Sequence, residues 1–305
     1  MSDEMMNTKG VARYLDIHEK QVYALIKTGR IPATRVTGKW IFPKRMIDAW
    51  IEANAKSGLE QAKQKGGRIA GALLASGSND PVLDILQTCL RKAHPEFFIF
   101  SANTGSSDGL DALDKGYTDI AWSHLFHPES GEYNIPYIEE RLPHVKAVVV
   151  NLFFRDLGFL TAPGNPVNIR GVEDLAKEGV RFVNRQAGSG TRLLLDHHLG
   201  RTGISPEHIS GYEQEVFTHL EVGLAILSGG ADTGIATVAV ANLLGLAFSP
   251  ITRERFDMIC DQSVFFQKGV QALVETLTSE TFRKRVENLG NYDFSAAGRI
   301  LYVKP

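Results

Sequence analysis

Three short stretches of this chain combine glycine, hydroxyl and amide side chains in a way that suits anion binding: Ser76-Gly77-Ser78-Asn79-Asp80-Pro81, Ala102-Asn103-Thr104-Gly105-Ser106-Ser107 and Arg185-Gln186-Ala187-Gly188-Ser189-Gly190-Thr191-Arg192. Glycine lets the backbone approach a ligand closely, serine and threonine add donors, and a helix that starts just afterwards adds unpaired N–H groups and a partial positive charge. The candidate ligand-binding residues are Ser76, Ser78 and Asn79 in the first stretch, Thr104, Ser106 and Ser107 in the second, and Arg185, Ser189, Thr191 and Arg192 in the third. Asp232, in the string Gly229-Gly230-Ala231-Asp232-Thr233-Gly234, is the remaining candidate and the odd one, because a free carboxylate repels an inorganic dianion. Either Asp232 pairs with Arg185 or Arg192 as a structural ion pair, or the ligand carries a donor as well as a negative group.

Those turns need elements to hold them. From Ile69 onward apolar runs alternate with helical segments: strands at Ile69 to Ala75, Phe97 to Ser101, Asp119 to Trp122, Val145 to Phe154, Leu157 to Thr161, Val180 to Asn184 and Thr233 to Ala236, and helices at Pro81 to Lys92, Asp108 to Lys115, near Gly171 to Glu178, Thr191 to Leu199 and His219 to Leu227. Alternation of this kind predicts an open α/β sheet whose ligands sit at the carboxyl ends of strands, where the three turns fall. The insert Ser123 to Pro136 is long enough to roof such a cleft through His127 or Tyr133, or to be an ordinary surface loop.

The first 68 residues differ in charge. They hold 13 Lys+Arg and 7 Asp+Glu, net +6, whereas the rest of the 305-residue chain carries net -8, so the overall -2 hides two opposite halves. A basic segment beside an acidic one predicts a polyanion partner for the first. Thr8 is expected to cap a helix through Leu15, Asp16 and Ile17 to turn, and His18 to cap a second helix from Glu19 to Thr28, ended by Gly29. Ile31 to Val36 and Lys39 to Phe42 flank a Thr37-Gly38 turn, and a third helix opens at Pro43 or Lys44. Helix, turn, helix, hairpin and helix in this order form a winged helix-turn-helix, with Lys20, Gln21, Tyr23 and Lys27 on the outer face of the second helix and Arg35 and Lys39 on the wing as the DNA-binding candidates. The polar segment Asn54 to Gly67 reads as a helix tail and linker, which gives domains at 1–54 and 68–305 with a linker at 55–67.

Residues 6 to 54, with Gly38-Lys39-Trp40 in the wing and Asp48-Ala49-Trp50 near the close, resemble the excisionase-type helix-turn-helix domains related to the MerR regulators. Residues 68 to 305, through the three turns above and Gly229 to Ala236, resemble periplasmic-binding-protein-like domains of the molybdate and tungstate type. The second resemblance implies a type II fold of two lobes joined by crossing segments around Phe153 to Pro163 and Phe248 to Phe256, with the ligand clamped between them.

Other chemistries fare poorly. His124 with His127, and His197 with His198, lack a third ligand at zinc spacing. Gly188-Ser189-Gly190-Thr191 lacks the lysine of a nucleotide phosphate loop, Ser189 does not match a nucleophile elbow, and no His-Asp pair is evident beside it. Cys89 and Cys260 read as small buried hydrophobes, no apolar run reaches the roughly 20 residues a bilayer needs, and a reducing cytosol is the economical location. The expectation is a cytoplasmic, non-enzymatic regulator without a cofactor or membrane contact. It would pair as a homodimer on double-stranded DNA and sense a small oxyanion, molybdate or tungstate being favoured. The alternatives are a small organic anion, a molybdenum-cofactor precursor, or an architectural DNA binder with no ligand.

Overall fold

A computed structural model describes residues 5–52 and 71–305. The chain divides into two compact units, Met1–Ile69 and Ala70–Pro305. The expected linker at 55–67 lies outside the described residues.

In the first unit, strand β1 (Met5–Asn7) leads into helix α1 (Thr8–Tyr14), α2 (Glu19–Lys27), the hairpin β2 (Thr34–Val36) and β3 (Lys39–Pro43), and helix α3, described over 44–52. Asn7, not Thr8, caps α1, its side chain accepting from Gly10 N at 2.8 Å. The short strand before it went unforeseen; it pairs with β3 to give a sheet ordered β1-β3-β2. Thr37 and Gly38 both take positive φ, as a two-residue hairpin turn demands. Val11, Ala12, Val22, Ile31, Phe42 and Ile47 close the small core, so the wing and three helices share one apolar centre.

The second unit is built on a nine-stranded sheet ordered β5-β4-β6-β11-β7-β10-β8-β9, with β12 beside β7. In chain order the elements are β4 (Ala72–Gly77), α4 (Pro81–Ala93), β5 (Phe98–Asn103), α5 (Ser106–Asp114), β6 (Ile120–Ser123), α6 (Ile138–Arg141), β7 (Ala147–Thr161), β8 (Phe182–Arg185), α7 (Gly190–Thr202), β9 (Glu215–Val216), α8 (His219–Leu227), β10 (Thr233–Thr237), α9 (Val238–Leu244), β11 (Ala247–Asp261), α10 (Gln262–Phe265), α11 (Lys268–Thr278), α12 (Glu280–Val286) and β12 (Ile300–Val303). The strands expected at 145–154 and 157–161 are one 15-residue strand. The helix expected near 171–178 is a single 3-10 turn, Val172–Ala176.

The two long antiparallel strands β7 and β11 explain the division into lobes. Val148, Val150 and Leu152 of β7 pack in one core with Leu73, Leu86, Phe256 and Met258, while Leu157 and Phe159 of the same strand pack in another with Phe182, Leu195 and Ile235. Strand β7 therefore leaves lobe I (β4 to β6, α4, α5, α11, α12) and enters lobe II (β8 to β10, α7 to α9), and β11 returns. At the crossing Arg155 faces Glu254 in register. Close approach in lobe I is bought by glycine: a Cβ on Gly109 of α5 would stand 2.6 Å from the Gly77 Cα.

Candidate ligand site

The three turns stand where the strands end. Gly77 closes β4, and Asp80 caps α4 by accepting from Val82 N at 2.8 Å. Thr104 and Gly105 donate their backbone N–H groups to the Gly77 carbonyl, so the first two turns are stitched together before α5 starts at Ser106. Ser189 caps α7 by accepting from Arg192 N. The lobes meet here: Ser107 N donates to the Gly188 carbonyl at 3.2 Å, and a Cβ on Gly190 would collide with the His124 ring and carbonyl at 2.7–2.8 Å. Ser78, Ser106, Ser189 and Thr191 are all buried in this closed arrangement.

At its centre lies a set of charged and polar groups that the sequence motifs did not announce. Arg155 Nη1 donates to Asp80 Oδ2 and Nε to Glu254 Oε1, each at 2.6 Å, and Nη2 donates to His219 Nε2 at 3.3 Å. Tyr292 Oη donates to Asp80, and the His124 ring bridges Glu254 Oε2 through Nδ1 (2.9 Å) and Ser78 Oγ through Nε2 (2.8 Å). Ser106 Oγ accepts from His124 N at 3.2 Å. Arg155 is 1% exposed and Glu254 2%, which would be costly for either charge alone. Burial works against the Arg155 charge, yet Glu254 and Asp80 hold its pKa above the ordinary value. Burial likewise raises the Glu254 carboxyl, but His124 and Arg155 more than offset it and hold it at about 2.

Arg185 is different. It is 2% exposed, its Nε donates to Gln186 Oε1 and its Nη2 to the Phe217 carbonyl, and Nη1 has no partner. None of those partners is a carboxylate, and burial followed by the charge of Arg155 pulls its pKa down to about 10. Gln186 Nε2, Thr191 Oγ1 and His219 Nδ1 of the same lobe are likewise buried without a partner. Three donor-capable atoms of one lobe are thus unpaired along with a buried guanidinium that no carboxylate contacts, and a buried polar atom left unpaired costs about 1–3 kcal/mol. An anion would repay that cost.

Of the sequence-based candidates, Ser78, Ser106, Arg185, Ser189 and Thr191 come together at this point. Ser107 lies at the lobe contact through its backbone. Asn79 is half-buried and gives its carbonyl to Arg155 Nη1 at 3.2 Å. Ser76 turns to Thr118 at 3.4 Å, and Thr104 Oγ1 lies 3.4 Å from the Gly105 carbonyl. Arg192 stands apart: its guanidinium lies 3.9 Å over the Tyr212 ring and pairs with Asp196 and Glu215, each at 3.3 Å. The expectation that Asp232 pairs with Arg185 or Arg192 is corrected. Asp232 holds Arg181 at 2.7 Å, because the turn from α8 into β10 puts it beside the residue just before β8. The insert at 123–136 folds on itself, with Phe126 bridging to Tyr133, His127 bonded to Ser130, and Asn134 Nδ2 donating to Asp257 at 2.8 Å.

The missed residues had a readable signal. Arg155 interrupts VVVNLFFRDLGFLT and Glu254 interrupts ITRERFDMIC, and a charge inside a buried strand needs a partner. His124 directly follows a strand, at the carboxyl end where ligands bind in such sheets.

In the first unit Lys20, Gln21, Tyr23, Lys27, Arg35 and Lys39 are all exposed. Lys20, Tyr23 and Lys27 recur along one face of α2. Gln21 is partly committed, its Oε1 accepting from His18 N at 2.9 Å to close the capping box. Arg35 Nε donates to the Gly38 carbonyl, and its guanidinium lies 5.8 Å over Trp40, which stiffens the wing.

A family model for a helix-turn-helix domain matches residues 5–55, and one for a PBP superfamily domain matches residues 88–278. "Uncharacterized protein YvgK" of Bacillus subtilis (strain 168) is 30% identical over 298 residues, 95% of this chain and 96% of that relative. A Clostridium pasteurianum protein named for its position in the ferredoxin 2Fe-2S gene 5' region is 32% identical over 110 residues, 36% of this chain and 97% of its own length. Among solved structures, a proposed phosphate ABC transporter substrate-binding protein from Clostridium perfringens, with phosphate bound, aligns at TM-score 0.55 and 14% identity over 72% of this chain and 97% of that one. A structure titled as the tungstate ABC transporter from Geobacter sulfurreducens aligns at TM-score 0.53 and 13% identity, over 72% and 100%. At such identities these two speak for the fold alone. With a closed two-lobed cleft, an exposed basic helix and a family match over most of its length, the chain belongs to the PBP superfamily, as a member that carries a helix-turn-helix domain ahead of its ligand-binding fold.

Proposed function

We propose that this protein is a cytoplasmic DNA-binding regulator whose two lobes close on a small oxyanion, with molybdate or tungstate as the favoured ligand. The observation that carries the reading is Arg185: a buried guanidinium with a free Nη1 and no carboxylate partner, in a lobe that also leaves Gln186, Thr191 and His219 polar atoms unpartnered. Neutral donors with one cation that no carboxylate contacts suit a compact anion better than a neutral or cationic ligand. On the DNA side, Lys20, Tyr23 and Lys27 would enter the major groove from α2 while Arg35 and Lys39 grip phosphates. One short helix reads few base pairs, so specific binding would need a pair of chains. A homodimer is further supported by α8, whose outward Leu220, Leu224 and Leu227 are 43–52% exposed and form one apolar stripe. The same helix begins at His219 in the cleft, which offers a route from closure to pairing.

Calorimetric titration of the full chain with molybdate, tungstate, sulfate and phosphate, alongside fluorescence anisotropy on duplex DNA with and without the anion, tests this. Saturable binding of an oxyanion that alters DNA affinity is expected. Heat from none of the four, with DNA binding intact, would leave an architectural DNA binder instead. A second reading rests on the Ser78–His124–Glu254 chain, which has the order of an acyl-transfer relay. Failure of a serine-directed fluorophosphonate to label Ser78 removes it.

A further inference from the structure

The tautomers of the two buried histidines can be worked out from their partners. Glu254 is ionised and lies 2.9 Å from His124 Nδ1, so Nδ1 carries a proton. In a neutral ring Nε2 must then accept, and the group 2.8 Å away is the Ser78 hydroxyl. Ser78 therefore spends its proton on His124 and turns only lone pairs toward an anion. Ser106 is not restricted in this way, since it accepts from His124 N and keeps its own proton. His219 is set by Arg155, which can only donate: Nε2 accepts from it, and the proton sits on the unpartnered Nδ1.

The charges add a second constraint. Arg155 holds both Glu254 and Asp80 while no carboxylate contacts Arg185, yet the four formal charges sum to zero, so a dianion that pairs with Arg185 in this buried place leaves excess negative charge. Of the groups in this cluster, the two imidazoles have ordinary pKa values nearest neutrality and are the ones suited to take up a proton that offsets it. Protonating His219 would set an N–H at Nε2 against the guanidinium of Arg155, donor against donor. Protonating His124 requires only that the Ser78 hydroxyl rotate: it then accepts from Nε2–H and points its own proton at the ligand.

Resting on the reading of the cleft as an oxyanion site, we propose that the anion is bound together with one proton from solvent, taken up at His124 Nε2, and that this uptake turns Ser78 from an acceptor into a donor toward the ligand. The groups facing His124 are Glu254 from β11, Arg155 from β7, Arg185 from β8, His219 at the head of α8 and the stacked ring of Phe256, 5.7 Å away. From the first turn of α7, the backbone of Gly190 packs against the ring. Burial, together with both arginines, lowers the proton affinity of His124 against the pull of Glu254. An anion beside the ring opposes the arginines and raises its proton affinity. Binding thus strengthens as pH falls, by up to about tenfold per pH unit between the proton affinities of the free and bound states.

The experiment is calorimetry of the full chain with molybdate, tungstate and sulfate, all fully ionised near neutral pH, in pairs of buffers with different ionisation heats. Wild type is expected to take up close to one proton per anion and to bind more tightly at lower pH. His124→Gln should lose the uptake and flatten the pH profile; His219→Gln should bind more weakly and still take up the proton. Anion binding with no proton uptake in wild type, or uptake that survives His124→Gln, overturns the inference and leaves the oxyanion reading standing. Heat from none of the three anions overturns that reading and this inference with it.

Discussion

The hinge at Arg155 and the lobe II edge at Arg185 hold two arginines that are almost equally buried and serve opposite ends. Arg155 has two carboxylates at 2.6 Å; Arg185 has a carbonyl, an amide oxygen and a free Nη1. A buried charge with its partners in place belongs to the fold. One without them costs stability unless something arrives to pair with it.

The comparison breaks most decisively at the hinge. Arg155→Met should cost about 3–5 kcal/mol of unfolding free energy, because it strands Glu254 and Asp80 without a cation; chemical denaturation that gave wild-type stability would show the hinge charges to be dispensable. The Glu254 carboxyl, held at about 2 when folded, sets the sign with pH. Its contribution is full above the ordinary carboxylate value of about 4.3 and is lost as pH falls from there through the folded value, so acid titration of Glu254→Gln should lack part of the wild-type loss.

At the other arginine the expectation inverts. Arg185→Met should leave the ligand-free protein as stable as wild type or more so, and weaken oxyanion binding by roughly ten- to a hundred-fold, the worth of one charge-assisted bond of about 1.5–3 kcal/mol. Loss of stability without loss of affinity, measured by thermal melts beside calorimetry, would make Arg185 structural as well. Gly190→Ala sharpens the same point from the backbone, since its Cβ would meet the His124 carbonyl at 2.8 Å and hold the lobes apart. Small-angle scattering should then show no compaction on adding anion.

Arg192, held by the carboxylates of Asp196 and Glu215 and by the Tyr212 ring, is a smaller case of the hinge. Arg192→Ala is expected to cost about 1 kcal/mol in stability and to change anion affinity little. The smallest effect is expected in the first unit: Lys27→Ala should weaken binding to all duplexes alike and lower the slope of log affinity against log salt by about 1.

Much of the architecture is legible in the sequence alone. The span His219 to Leu227 is the helix the periodicity predicts, Thr37 and Gly38 make the turn their types demand, and the three hydroxyl-rich turns stand at strand ends because strand-to-helix connections leave the same chemical trace wherever they occur. The long strand β7 was harder, since Arg155 and Asp156 look like a break when nothing shows what faces them. The site itself divides along the same line. Ser78, Ser106, Arg185, Ser189 and Thr191 carry a local signature, glycine and hydroxyl before a helix, and local signatures survive in sequence.

What the sequence determined by itself, then, was the basic helix-turn-helix, the α/β alternation and the positions of the turns, all of which follow from periodicity, caps and charge within a few residues of each other. Only the tertiary structure decided which arginine was free. Arg185 and Arg192 lie seven residues apart in one motif, and their different fates depend on Glu215 and Asp196 reaching one of them and no acid reaching the other. Asp232 went to Arg181, and His124 met a carboxylate 130 residues away. Ion pairing is fixed by distances of a few ångströms between groups brought together by folding, and nothing in the local order of residues encodes them.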